Sequence, residues 1–153
     1  MTSESILSKL ADEVAAAING GTWDETLQAC TKFKPVKRRE DLGASMLVEV
    51  VPRKQMRKRI ARGTSPGGLW QKTYIVVVGI TKALDENDSD KQTDHCNAIA
   101  DEIATELQNT AYTNGYLESI DEEPTYHPQR LDQDGVFTRA LVLQFGGRAV
   151  YGC

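Results

Sequence analysis

The sequence predicts an α+β domain: a mainly antiparallel β-sheet, two helices packed on one face of it, and a long hairpin arm. Three observations carry this. Residues 72–82 hold Tyr74-Ile75-Val76-Val77-Val78-Gly79-Ile80, the most apolar and β-branched run in the chain. Side chains branched at Cβ are stiff at χ1 and suit a pleated sheet. Only two stretches show apolar residues at three- and four-residue spacing, so helices are few. A run dense in cations, starting at Arg53, separates two strand-like segments by about twenty residues, too many for a tight turn.

The 153 residues suit one domain, 1–153, with the arm 53–71 protruding. Hydrophobic residues at 40% and charged residues at 26% are ordinary for a globular chain. A net charge of −4 argues against a nucleic-acid binder as a whole. No apolar run is long enough to span a membrane, and the acidic start Met1-Thr2-Ser3-Glu4 is unlike a secretory signal. Cys30, Cys96 and Cys153 are widely spaced and odd in number, which fits a reducing compartment better than a disulfide framework.

In chain order, residues 3–18 form the first helix. Ile6, Leu7, Leu10, Ala11, Val14, Ala15 and Ile18 make one stripe. Ser3 or Ser5 can cap it, and Gly20-Gly21 stops it through the left-handed conformation open to glycine. Residues 26–34 alternate, with Leu27, Ala29, Thr31 and Phe33 on one side, as a strand with one wet face does. Pro35 ends it or marks an edge. A charged connection, 36–43, leads to a second strand, 45–51, with Met46, Val48 and Val50 inward and Pro52 closing it. The arm follows, then the central strand 72–82, apolar on both faces as a strand buried on two sides is. An acidic turn at 85–90 precedes the second helix, 91–109, capped by Asp88, Ser89 or Asp90. Its stripe is Cys96, Ile99, Ala100, Ile103, Leu107 and Ala111. After Asn114-Gly115 come a short strand 116–120, a polar loop 121–135, a last strand 136–145 and a tail 146–153. In the last strand Phe137, Leu141, Leu143 and Phe145 oppose Val136, Thr138, Ala140 and Val142. The expected core is Leu10, Val14, Val48, Val50, Val76, Val78, Ile80, Ile99, Ile103, Leu107, Phe137 and Leu141.

Catalytic patterns are missing. Asp94, His95 and Cys96 with distant His127 lack the paired, short-spaced ligands of a structural metal site, and adjacent helical residues diverge by about 100°. Residues 63–68, Gly-Thr-Ser-Pro-Gly-Gly, lack the lysine and following helix of a phosphate loop. No nucleophile elbow is present. No enzyme activity, cofactor or metal is expected.

The charge map is more telling. Arg53, Lys54, Arg57, Lys58, Arg59 and Arg62 put six cations into ten residues with no acid among them. Residues 32–62 hold eleven Lys/Arg against three acids, and residues 84–124 hold twelve acids against Lys91 alone. One subunit therefore carries two complementary patches. A head-to-tail interface needs such a pair, and it closes into a ring if the rotation permits. The arm could instead contact nucleic acid, although Trp70 is its lone nearby aromatic.

The order and character of these segments resemble the tail terminator (neck, minor tail protein U-like) proteins of tailed bacteriophages. The resemblance runs through most of the chain. An amphipathic helix and first strand lead to Asp41-Leu42-Gly43, then Met46-Leu47-Val48-Glu49-Val50-Val51-Pro52 and a basic arm with Arg57 to Arg62. Tyr74 to Thr81 precede a helix with an Ala-Asp-Glu-Ile pattern. Glu123-Pro124-Thr125-Tyr126, Leu131 and then Val136-Phe137-Thr138-Arg139-Ala140-Leu141 match the closing strand. The resemblance rests on order and spacing, not on one signature.

It implies a structural virion protein, not an enzyme. Proteins of that family form a ring, expected to be hexameric, that caps the tail tube and stops its growth. The ring provides the joint to the head connector, and DNA passes through the lumen without sequence recognition. The implied partners are further copies of the chain, the tail tube protein and the head-closure protein. The implied location is the virion neck, and the host cytoplasm during assembly, with no membrane. A head–tail joining or tail-completion protein is the neighbouring reading; a small nucleic-acid-binding protein using residues 53–62 is the reading from another class. The expected subunit or tube interface is Arg53, Lys54, Arg57, Lys58, Arg59, Arg62 and Trp70, with Glu118, Asp121, Glu122 and Glu123 as the acidic counterpart.

Overall fold

A computed structural model describes residues 4–31, 33, 45–61, 69–84, 89–122, 135–147 and 150–151. In chain order its elements are α1 (Ile6–Asn19), β1 (Leu27–Thr31), β2 (Met46–Ala61), β3 (Leu69–Ala83), α2 (Ser89–Asn109), β4 (Tyr116–Asp121), β5 (Val136–Gly146) and β6 (Val150–Tyr151). The sheet order is β1-β2-β3-β5-β4, and β6 pairs with β3. All these pairings are antiparallel except β1 with β2. The α+β class and the two helices on one face of a mixed sheet are as the sequence predicts.

Register decides which residues meet the helices. Val50, Val78 and Leu141 stand in one row across β2, β3 and β5, and Val76 stands beside Leu143. These, with Val48, Tyr74, Ile80 and Phe145, form one core with Leu10 and Val14 of α1 and Ile99, Ile103 and Leu107 of α2. All twelve expected core residues are buried, Phe137 included. Full burial of one large apolar side chain contributes roughly 1.5–3 kcal/mol, so this single interior dominates the stability. On the second face, Val77, Thr81 and Glu49 are buried and Ile75, Gly79, Ala140 and Val142 are half-buried.

Several expectations need correcting. The end of α1 is not a left-handed glycine. Gly20 stays right-handed, with φ −80°, and its N–H donates to Ala16 O. Two other contacts fix the end. Asn19 exchanges hydrogen bonds with the backbone of Ala29 at 2.8 and 2.9 Å, and Trp23 Nε1 donates to Ile18 O at 2.8 Å. Gly21 is needed because Trp23 folds back on it: a Cβ there would lie 2.5 Å from the indole. Ser5 does cap the start, accepting from the Ser8 N–H at 3.1 Å. Ile6 is 40% exposed, at the edge of the stripe and not inside it.

The first strand ends at Thr31, and Phe33 beyond it is 73% exposed. Pro52 does not close β2. The strand runs on to Ala61, with a register shift between Pro52 and Lys54. Proline is tolerated in a strand at such an irregularity, where the missing N–H costs no regular ladder bond. The arm is therefore largely paired: Lys54 faces Ile75 and Ala61 faces Leu69. Ala111 is exposed; Tyr112 next to it packs edge-on against Phe145, with ring centroids 4.9 Å apart.

Candidate assembly surfaces

The arm is a β-ribbon whose β2 residues 53–60 are all exposed. Side chains alternate along a strand. Gln55, Arg57 and Arg59 thus point to the side of Tyr74, which is the helix side, and Lys54 and Lys58 point to the other. Arg59 lies over the Trp70 ring, 5.0 Å from its centroid. Such stacking holds the guanidinium plane while its N–H groups stay outward. Arg57 stands directly opposite Lys72. Like charges facing one another across a ladder are destabilising, and no acid of the described arm residues stands between them. No acid occurs among the described arm residues 53–61 and 69–73. Arg62 lies outside the described residues.

The acids gather at the other edge. Among the described strands β4 pairs with β5 alone and ends the sheet. Glu118 and Asp121 are exposed on it, and Glu118 accepts a hydrogen bond from Gln144 at 2.8 Å. Glu123 lies outside the described residues. Glu122 is partly engaged internally. Its carboxylate accepts from Arg139 Nη2 at 3.0 Å, as Asp101 does at 2.9 Å. Arg139 Nη1 donates to Asn97 O at 3.2 Å. Nε of Arg139 has no partner among the described residues.

Between α2 and β4 lies a groove of about 530 Å³. Asp101, Gln108, Glu118 and Glu122 stand on its walls, with Leu117 and Ile120 as apolar lining. The Arg139 guanidinium behind the wall holds two of these carboxylates in place.

Sequence reasoning missed Arg139 as a site residue. The signal was there: positions 137, 139, 141, 143 and 145 share a face, and an arginine sits among four apolar residues. It also missed a second polar cluster. Glu25 takes Lys82 and, at 3.1 Å, His95 Nε2 as partners. Burial pushes the Glu25 carboxyl up, but the hydrogen bonds and charges of Lys82 and His95 outweigh it and hold it below the ordinary glutamate value. Nearby Cys96 is fully buried, and burial pushes its thiol up to about 11, which keeps it protonated and unreactive. Cys96 and His95 therefore serve different environments. No described group of three His, Cys, Asp or Glu side chains is placed to hold a metal ion. His127 lies outside the described residues. No described helix is long and apolar enough to cross a membrane.

Compared with models of known protein families, the chain has no match, and compared with curated proteins it has none either.

Proposed function

We propose that this chain is the repeating subunit of a ring in the neck of a tailed bacteriophage. As a tail terminator it caps the tail tube, ends tube polymerisation and offers a joint to the head connector, with DNA passing through the lumen. The observation that carries this reading is a cationic β-ribbon and an anionic sheet edge on one small α+β subunit. Two unlike, complementary surfaces favour head-to-tail association, and closure of that association gives a ring. The order of helix, strands, basic arm, helix and closing strand supports the same reading through its resemblance to the terminator proteins. Tube protein and head-closure protein are the partners above and below, and a head–tail joining protein is the adjacent role in the same neck.

A second reading draws on the arm itself. Arg59 over Trp70 and the lack of described acids there suit contact with a phosphate backbone.

Size-exclusion chromatography with light scattering, followed by negative-stain electron microscopy, tests the first reading. The expected result is a closed ring with a central hole, weakened by salt. A monomer at every concentration and at low salt refutes it. Gel shift with duplex DNA at two salt concentrations tests the second: strong binding that falls steeply with salt, without self-association, favours it.

A further inference from the structure

We propose that the arm of one copy docks in the groove between α2 and β4 of the next copy. This rests on the ring reading and names the surfaces that would build it.

The arm offers cations with no acid among its described residues. Arg57 opposes Lys72, Arg59 is stacked on Trp70, and Lys54 and Lys58 occupy the reverse side. Within the arm β2 has β3 as its one described neighbour, whereas β3 also meets β5 from Thr73 and β6 at Leu69 and Trp70, so the outer strand is the part that gains order from a dock. Met56 at 38% and Ile60 at 47% exposure add apolar surface among the cations.

The groove offers the complement. Asp101 and Glu122 bring two carboxylates against the one guanidinium of Arg139, and Glu118 stands at the rim with its carboxylate on Gln144. Arg139 orders two of them in advance, so docking need not fix their rotamers. Leu117 and Ile120 give the apolar stems of arginine and lysine something to lie on. The groove runs beside β4, whose outer edge is unpaired among the described strands. An exposed edge invites pairing with another chain. Acids along it repel a second β4 edge and attract a cationic ribbon, so the partner selected is the arm and not a like edge. Each copy uses each surface once, which is the condition for a heterologous ring.

Two variants test this. One carries Arg57→Glu, Lys58→Glu and Arg59→Glu on the exposed ribbon. The other carries Thr105→Lys and Gln108→Lys on the α2 wall of the groove, leaving the partners of Arg139 untouched. Circular dichroism should show both folded. Each alone should need at least about tenfold more protein to assemble than the unaltered chain, since like charges then face one another. Mixed in equal amounts they should assemble again, because each reversed arm meets a groove with added lysines and each native arm a native groove. Recovery in the mixture is not expected from a merely structural role. If the unaltered chain assembles and the folded variants do so equally well, or if their mixture stays dispersed, the docking is wrong while the ring stands. If the arm variant loses duplex binding in a gel shift but assembles normally, the arm is a nucleic-acid contact and the docking is overturned. If the unaltered chain never assembles, the ring reading itself falls.

Discussion

Arg139 makes a sharp test of the energetics because its burial is so lopsided. Its side chain is 3% exposed, whereas its partners Asp101 and Glu122 are 67% and 42% exposed. The cation has lost its water and the carboxylates have kept much of theirs. Removing one side of the group should therefore differ in outcome from removing the other. With Arg139→Met, a flexible apolar chain fills the space and the carboxylates return to solvent. The desolvation cost of the guanidinium, including its unpartnered Nε, disappears. Replacements of this kind are neutral or stabilising, here by up to about 1–2 kcal/mol.

The double change Asp101→Ala with Glu122→Ala leaves a buried cation with Asn97 as its remaining described partner. Stripping a buried charge of its partners costs about 3–5 kcal/mol, and the wet carboxylates place this case near the low end, about 3 kcal/mol. For a chain of this size that lowers the melting temperature by roughly 6–12 °C. Adding Arg139→Met to the double variant should restore most of the loss. Thermal melts followed by circular dichroism, at fixed protein concentration because self-association shifts stability, read all four proteins. If Arg139→Met alone destabilises as much as the carboxylate pair, the ion group is net stabilising and the reasoning fails.

Three further outcomes are expected. Val78→Asp puts an unpaired charge between Val50 and Leu141 at a fully buried site; it should cost on the order of 4 kcal/mol, and an unchanged melt would show that the row is not core. Glu13 and Glu25 both have carboxyls held below 4.5: burial pushes each up, and hydrogen bonds from Thr113 and Asn114, or from Lys82 and His95, outweigh it. The unfolded chain binds these protons first, so their stabilisation is complete above the unfolded value and is lost as pH falls through the folded values. The melting temperature should drop below that pH, and Glu13→Gln with Glu25→Gln should flatten the drop; an acid limb unchanged in the double variant contradicts the assignment. Gly79→Ala should leave the monomer as stable or raise it by up to about 1 kcal/mol, since among the described residues a Cβ there meets only Glu49 O at 3.9 Å; a marked loss in urea denaturation would show an internal need for glycine.

The fold was legible where one physical signal governed it. The stripes of both helices and the β-branched run of β3 are burial patterns, and burial is what a periodicity reports. Pairing is another matter. Nothing in Leu27 to Thr31 says that β1 runs parallel to β2, because orientation depends on the connection between them. Pro52 reads as a stop in a single strand, and only the partner strand shows that the ladder steps past it. The two glycines after α1 read alike, yet one merely continues the helix geometry and the other makes room for Trp23.

The candidate surfaces divide in the same way. Cations crowded into one arm are visible in composition, and their exposure follows because nothing apolar alternates with them strictly. Opposition of Arg57 to Lys72 is a fact of register and needs both strands. The acidic side is harder, since Asp101, Glu118 and Glu122 come from α2, β4 and the residue after β4, and a count of acids cannot tell which of them are engaged. Arg139 is the reason the count misleads: it takes an oxygen from each of two carboxylates and so turns a loose acidic stretch into a positioned wall. A solvated acidic face would bind a cationic partner by charge alone and lose it with salt. A positioned wall with apolar lining can also choose the partner's shape, which is what the docking proposed above requires of it.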